Sequence, residues 1–304
     1  MKHFKKRGRS SRKTGGAHIK HTKRGGKNVW LTAGLIFCFI MLLTVLFLCI
    51  RSRVIQAEFH ELAQLLVDNS TSSTVPDDTF GPNFILDNDK PAENTDGVDD
   101  TDKPEESVPT VKTMLARYEE LYNRNNDLFG WIKIEDTVIN YPVMRPNDGN
   151  GDKYLHTNFN GQYSYAGTPF AEIECSNESD NILIYAHRMN DGSMFGNLHK
   201  YQDKSYWEKH PTILYSNLYE DRQYEILAVF YDRIYKKTDT CFKFYQFIDA
   251  ENEEDFDYAI SQFKEKSIYD TGVDAEYGDQ LITLVTCDRR NSYSRFVVVA
   301  RYAD

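Results

Sequence analysis

Cysteine is scarce in this sequence, and its spacing excludes the most common cysteine-based scaffolds. Five cysteines occur among 304 residues, too few for a fold held together by several disulfides. There is no CxxC and no HExxH motif, so the sequence does not indicate a structural zinc site. The 9 prolines and 17 glycines exclude a collagen, and a hydrophobic fraction of 40% excludes a wholly disordered chain. We expect one or two globular domains and no metal or organic cofactor.

Acidic residues are absent from the first 28 positions. This segment holds seven lysines and four arginines, a charge of +11, whereas the remaining chain holds 46 acids and 25 bases, a charge of −21. Basic runs of this kind can bind nucleic acid. Because this run directly precedes a long apolar segment, we interpret residues 1–28 as a basic cytoplasmic tail that sets membrane topology, and we expect no nucleic-acid partner.

The segment from Val29 to Ile50 contains no charged residue. Its 22 residues are enough for one helix to cross the roughly 30 Å hydrocarbon core of a bilayer. The apolar region of a cleavable signal peptide is shorter, about 7–15 residues, so we interpret residues 29–50 as an uncleaved signal-anchor. Many more positive charges precede this segment than follow it. The positive-inside rule therefore predicts a single-pass protein of the cell membrane, with residues 51–304 outside the cell.

Residues 51–110 combine a short amphipathic segment with a long acidic one. Apolar residues recur at helical spacing from Val54 to Val67, which predicts a membrane-proximal helix. From Asp68 to Thr110 the composition changes to Ser, Thr, Asp, Asn and Pro, and Asp77–Glu106 contains eleven acids and two lysines. Such a segment buries too little apolar surface to offset the entropy lost on ordering, so we predict a disordered spacer.

Residues 111–304 are the stretch long and apolar enough for a substantial core. A helical pattern opens it, and Asn252–Lys266 predicts an amphipathic helix with Phe256, Ile260 and Phe263 on one face. Short β-rich runs separated by turn residues make the rest mainly β, either a barrel or a sandwich. The predicted strands are Trp131–Ile134, Val138–Val143, Gly167–Ile173, Asn181–Tyr185, Thr212–Tyr215, Tyr224–Tyr231, Leu281–Thr286 and Arg295–Tyr302.

Two reactive residue types stand at predicted strand ends. Cys287 follows the apolar run Leu281–Thr286 and precedes a polar loop with several arginines, whose charge favours the thiolate form. His187 likewise follows an apolar run and precedes a polar loop. A nucleophilic thiol needs an acid to protonate the leaving amine, so the pair indicates a Cys/His enzyme. An ordinary core cysteine in a strand fits the same local pattern. We expect Cys175 and Cys241 to be free thiols.

Three separated motifs in 111–304 resemble sortases, the cysteine transpeptidases that attach proteins to Gram-positive cell walls or polymerise pili. The sequence TLVTC at Thr283–Cys287, followed by Arg295, resembles the TLxTC…R signature of that family. The segment Asn181–Tyr201 resembles the histidine segment of class B sortases in particular, and NRNNDLFGWIKI at Asn123–Ile134 is also similar to that class. The resemblance implies an eight-stranded sortase β-barrel in residues 111–304, with N-terminal helices and a helix inserted before the cysteine strand.

The resemblance also implies the roles of individual residues. Cys287 matches the nucleophile that forms a thioacyl intermediate, His187 the general acid and base, and Arg295 the arginine that binds the substrate backbone or the oxyanion. The implied partners are the C-terminal sorting signal of a surface protein and an amine acceptor from a peptidoglycan cross-bridge or a pilin. Thr286 and Asp288 are candidates for shaping the substrate site.

The sequence departs from the family pattern at one position, and it leaves open other candidates for the arginine and two other functions. The familiar Tyr-Gly-His is Tyr-Ala-His here, with Ala186 before the histidine. Arg289 and Arg290 are rivals of Arg295, but their closeness to Cys287 favours a loop position. An extracellular cysteine hydrolase would use water in place of an amine, and a non-catalytic, anchored binding module would not need Cys287.

Overall fold

The computed structural model of the chain describes residues 26–72, 112–288 and 290–303, with side chains from residue 32 to 69 in the first of these ranges. Most of the predicted basic tail and most of the predicted acidic spacer lie outside the described residues, as does Arg289. The described residues form two compact units, one ending at Arg51 and the other beginning at Ser52.

A single long helix, α1, spans Gly26–Ser72. It contains both the apolar segment at 29–50 and the predicted membrane-proximal helix. In the described part of the chain, it is the one helix long and apolar enough to cross a membrane, with a mean hydropathy of 2.9 in its most apolar window. After Ile50 the helix carries charged residues, so its character changes from uniformly apolar to amphipathic.

All eight predicted strands are present in the second unit, together with three shorter helices. The helices are α2 (Ala116–Arg124), α3 (Lys204–Trp207) and α4 (Glu253–Lys266). The strands are β1 (Leu128–Lys133), β2 (Asn140–Met144), β3 (Phe170–Ala171), β4 (Asn181–Tyr185), β5 (Thr212–Ser216), β6 (Asp221–Arg233), β7 (Leu281–Cys287) and β8 (Ser294–Ala303). They close into a barrel in the order β1-β2-β3-β4-β7-β8-β6-β5. The mainly β, eight-stranded barrel is therefore confirmed, and the sandwich is not formed.

Alternate residues of the late strands pack on opposite faces of the barrel wall. On β8, Phe296 and Val298 belong to the main core, whereas Val297 and Val299 pack in a second cluster that includes α4. The second cluster contains Phe256, Ile260 and Phe263, the predicted apolar face of α4. Asn252 caps this helix by accepting a hydrogen bond from the Asp255 amide at 3.1 Å. The inserted helix thus covers the outer face of β6, β7 and β8.

The C-terminal part of α1 belongs to the core of the barrel unit. Phe59 and Leu62 are 3% and 1% exposed, and with Leu66 they join the same apolar cluster as the barrel strands. The ring of Phe59 packs edge-on against Tyr141 of β2, with centroids 5.1 Å apart. The barrel core therefore includes residues that precede position 111, because α1 supplies one of the apolar faces that the strands need for burial.

Gly130 on β1 lies where a larger residue has no room. A Cβ at this position would lie 2.6 Å from Cζ of the buried Tyr215 ring and 2.7 Å from the Ser216 carbonyl oxygen. We expect Gly130→Ala to lower the free energy of unfolding by about 1–3 kcal/mol through overpacking, measured by denaturant titration. Gly151→Ala is the matched control, because its nearest neighbours would be 3.9 Å away. Equal effects of the two substitutions would contradict the conclusion that β1 has no room for a larger side chain at Gly130.

Candidate active site

The register of two parallel strands brings His187 and Cys287 to the same edge of the barrel. Strands β4 and β7 pair in parallel from Asn181 opposite Leu281 to Tyr185 opposite Val285. His187 and Cys287 each come two residues after this last pair, so they lie at the same end of these two neighbouring strands. The sequence analysis placed each residue at a strand end, and the parallel pairing makes these two ends adjacent.

The antiparallel neighbour of β7 brings Arg295 to the same place. In the β7–β8 ladder, Cys287 pairs directly with Arg295. The Arg295 guanidinium donates from Nη1 to the carbonyl oxygens of Ser292 and Ser294, at 2.9 and 3.0 Å. A guanidinium carries five N–H donors, so these two bonds do not exhaust its capacity for a ligand.

His187, Cys287 and Arg295 line one cleft with a volume of about 410 Å³. The thiol of Cys287 is exposed, whereas His187 and Arg295 are half-buried. The wall of the cleft is completed by the strand ends of β4 and β7 and by the loop at 149–152. The other lining residues are Gly149, Asn150, Gly151, Asp152, Leu155, Phe170, Glu172, Tyr185, Ala186, Ile234, Val285 and Thr286.

The imidazole of His187 is oriented by a backbone carbonyl. Its Nε2 lies 2.9 Å from the Leu155 carbonyl oxygen. A carbonyl only accepts hydrogen bonds, so in the neutral ring Nε2 carries the hydrogen and Nδ1 carries none. Burial lowers the pKa of His187, the Leu155 bond opposes this shift, and the nearby His156 lowers the pKa further. The His156 ring is 5.3 Å from the His187 ring.

Thr286 and Asp288, on either side of the cysteine, have different surroundings. The buried Thr286 hydroxyl donates to the Ala186 carbonyl oxygen at 2.8 Å, which ties β7 to the residue before His187. Asp288 is also buried and is not among the described residues that line the cleft. Its carboxylate contacts Arg188 at 3.5 Å and Arg290. Thr286 is therefore at the cleft, whereas Asp288 is directed into an ionic cluster beside it.

Arg290, the described alternative to Arg295, belongs to the ionic cluster around Asp288. Arg290 pairs with Asp288, and its guanidinium carbon lies 3.8 Å from the centroid of the Tyr231 ring. His199 lies nearby, stacked on Phe296 with centroids 4.5 Å apart, and its Nε2 is 3.4 Å from Asp288. Of the described arginines, Arg295 lines the cleft and Arg290 does not.

Several cleft residues carried no signal in the sequence. The sequence at 149–152 indicates only a polar turn. Leu155 contacts His187 through its backbone carbonyl oxygen, a group that every residue has, so its side chain gives no signal. Glu172 and Tyr185 line the cleft and interact with each other, and burial together with the Glu172 carboxylate raises the pKa of Tyr185. A carboxylate at a loop position gives no pattern by itself, so only the fold shows that Glu172 lies at the cleft.

The two other described thiols outside α1 are free, and neither lines the cleft. Cys175 is buried, and its Sγ lies 3.5 Å from the Leu183 amide nitrogen and 3.6 Å from the Asn181 carbonyl oxygen. Burial raises the pKa of Cys175 to about 12, so this thiol is not a nucleophile at neutral pH. Cys241 is exposed in a loop.

Comparison with known proteins gives one consistent result. The family model described as the sortase domain matches residues 132–303. Sortase B of Listeria monocytogenes is 36% identical over 180 residues, which cover 58% of this chain and 69% of the relative. A Staphylococcus aureus sortase B–substrate complex superposes with a TM-score of 0.63 at 22% identity and covers 84% of this chain and 99% of that chain. A crystal structure of sortase B complexed with triglycine has a TM-score of 0.55 at 29% identity, covering 62% and 86%.

These matches all point to one family. The strand order and the cleft at the ends of β4 and β7 fit the same family. On this evidence the chain belongs to the sortase family, as a class B member, and is a cysteine transpeptidase that acts on surface proteins.

Proposed function

We propose that this chain is a membrane-anchored transpeptidase in which Cys287 is the nucleophile, His187 the general acid and base, and Arg295 the residue that stabilises the oxyanion. The observation that carries the proposal is the convergence of these three side chains in one cleft, at the ends of β4 and β7 and the start of β8. The substrate is the C-terminal sorting signal of a surface protein, bound as an extended peptide.

In the first half-reaction, the thiolate sulfur of Cys287 attacks the carbonyl carbon of the scissile peptide bond. The carbonyl oxygen becomes an oxyanion, and N–H donors of Arg295 stabilise it where charge develops. The C–N bond then breaks, and Nδ1 of protonated His187 gives its proton to the departing amine. The products are the released C-terminal peptide and a thioester on Cys287.

In the second half-reaction, an acceptor amine attacks the thioester carbon. Neutral His187 takes a proton from the amine at Nδ1, the C–S bond breaks, and Cys287 leaves as a thiolate. The new amide bond joins the surface protein to the acceptor, and His187 is again protonated for the next cycle. The lowered pKa of His187 increases the fraction of neutral imidazole at neutral pH, so fewer molecules carry the protonated ring with which the first half-reaction begins.

The acceptor and the location follow from the family and from α1. Because a related sortase B has been crystallised with triglycine, we infer that the acceptor here is the amine of a peptidoglycan cross-bridge, with a pilin lysine as the second candidate. The apolar segment at 29–50 is the membrane span. The basic residues before it support a topology with residues 1–28 in the cytoplasm and the barrel unit outside the cell.

The test is a peptide assay on the full chain in detergent micelles. A library of quenched sorting-signal peptides is incubated with the enzyme, with and without triglycine, and the products are identified by mass spectrometry. We expect one peptide class to be cleaved and its N-terminal part to be joined to triglycine. Cleavage that yields only the free acid at saturating triglycine would indicate a hydrolase. Absence of cleavage across the library would favour the non-catalytic binding module.

The assignment of the oxyanion role to Arg295 gives a separate prediction. We expect Arg295→Ala to lower kcat by about a hundredfold, because a fixed donor to the developing oxyanion is lost. Arg290→Ala is the matched control and should change kcat less than about twofold, since Arg290 contacts Asp288 and Tyr231 and is 57% exposed. Both are measured as initial rates with the peptide identified above. A larger loss for Arg290→Ala would reverse the assignment.

A further inference from the structure

The amphipathic part of α1 contacts two loops that surround His187. The first, the 156–163 loop, begins directly after Leu155, whose carbonyl oxygen binds His187 Nε2 at 2.9 Å. The second, the 187–195 loop, begins at His187 itself and closes on it, because the Phe195 amide donates to the His187 carbonyl oxygen at 3.1 Å. The position of the imidazole therefore depends on both loops.

Glu58 of α1 holds the 156–163 loop through two amide side chains. The Asn158 and Asn160 Nδ2 atoms each donate to a different Glu58 carboxylate oxygen at 3.0 Å. Asn158 is buried and closes its own loop, because its backbone N–H donates to the Gln162 carbonyl and its Oδ1 accepts from the Gln162 amide, both at 2.8 Å. The carboxylate thus bridges two points of a loop that also carries His156.

The same helix holds the 187–195 loop by two other routes. The Ser52 hydroxyl donates to the Asp191 carboxylate, which also accepts from the Ser193 amide at 3.0 Å. Gln56 hydrogen-bonds to the Tyr141 hydroxyl, which accepts from the Met194 amide at 3.2 Å. Phe59 of the same helix packs on the ring of Tyr141, which keeps α1 next to these hydrogen bonds. Hydrogen bonds to buried or charged partners are costly to break, so together these contacts can hold both loops in one arrangement.

We propose that residues 52–69 of α1 are a positioning element of the active site, in which Glu58 and Ser52 fix the loops that orient the imidazole of His187. This proposal rests on the proposed function of His187 as acid and base. Glu58 is a positioning residue, since it acts through Asn158, the 156–163 loop and the Leu155 carbonyl and does not itself line the cleft. Residues 52–69 therefore contribute to the active site, in addition to linking the membrane span to the spacer.

The proposal is tested on the full chain in detergent micelles with Glu58→Ala and, as the matched control, Glu61→Ala. Glu61 lies one turn further along the same helix and is exposed. We expect Glu58→Ala to lower kcat about tenfold with KM unchanged, because the acid and base is misplaced while the substrate cleft stays intact. The control should keep kcat within about twofold. Asn158→Ala should lower kcat similarly, and the double variant should lose no more than either single one.

A second readout does not depend on any peptide. Histidine ring carbons are labelled, and the His187 signal, identified by its loss in His187→Gln, is titrated by NMR. In Glu58→Ala we expect the pKa of His187 to rise towards its ordinary value, because a released loop admits water and reduces the desolvation that lowers this pKa. His156 lies on the released loop, so its lowering effect on the pKa of His187 weakens as well, which acts in the same direction. The other charged or titratable residues that line the cleft with His187 lie outside this loop and stay in place: Asp152, Glu172, Tyr185, Cys287 and Arg295.

The outcomes separate this proposal from the function on which it rests. If Glu58→Ala and Glu61→Ala have the same kcat and the same His187 pKa, the helix contributes only stability and the proposal is wrong. If the wild-type chain transfers no peptide, the proposed function fails, and the NMR titration alone decides whether α1 sets the environment of His187. A fall in thermal stability with an unchanged His187 pKa would also overturn the proposal.

Discussion

Replacing Cys287 with alanine should abolish both cleavage and transfer, a fall in kcat of at least about 10⁴-fold. The reason is that the acyl group has to be held as a thioester between the two half-reactions, and the described residues that line the cleft include no second thiol. Folding should be unaffected, because the Cys287 side chain is exposed at the end of β7 and contributes little to the core.

The matched control for this prediction is Cys241→Ala. Both thiols are exposed, but Cys241 lies in a loop and is not among the residues that line the cleft, so its loss should leave the rate within about twofold of wild type. Initial rates with a cleavable sorting peptide, and mass spectrometry for the thioester, measure the two variants. Retention of triglycine transfer by Cys287→Ala would exclude the thioacyl mechanism.

The second large effect is expected on stability, from Phe59→Ala in the amphipathic part of α1. Phe59 is 3% exposed, packs against Tyr141 and belongs to the main core cluster. Removing a buried phenyl ring leaves a cavity and costs about 3–5 kcal/mol. This is a large share of the stability of an ordinary domain, so part of the chain should unfold at physiological temperature.

Val67→Ala is the control for this substitution, because Val67 is 61% exposed on the same helix. Thermal unfolding of the full chain in micelles, followed by near-UV circular dichroism, measures both variants. We expect the melting temperature to fall by several degrees for Phe59→Ala and by about one degree or less for Val67→Ala. Equal melting temperatures would mean that the barrel unit does not depend on α1 for its core.

Much of the fold was predictable because strand and helix patterns are local. Short β-rich runs separated by turn residues predicted all eight strands, and the spacing of Phe256, Ile260 and Phe263 predicted the face of α4. Closure into a barrel was not predictable from periodicity, because a barrel and a sandwich use the same period of two. Pairing between distant strands decides between them, and the resemblance to sortases supplied that information.

The candidate site was predicted in part, for a similar reason. Cys287, His187 and Arg295 stand next to recognisable apolar runs, so the sequence marks them as residues at strand ends. It does not show that Asp288 turns away from the cleft into the cluster with Arg188 and Arg290. The direction of a side chain in a loop depends on partners that are far away along the chain.

The sequence by itself determined the apolar segment, the strands, the amphipathic helices and the candidates for the reactive residues, because each is a property of neighbours along the chain. Only the tertiary structure decided that β4 and β7 run in parallel and bring His187 beside Cys287. It also decided that Leu155 orients the imidazole through its carbonyl and that α1 packs into the barrel core. These contacts join residues that lie far apart along the chain, and their register is set by burial of the whole core and not by any local pattern.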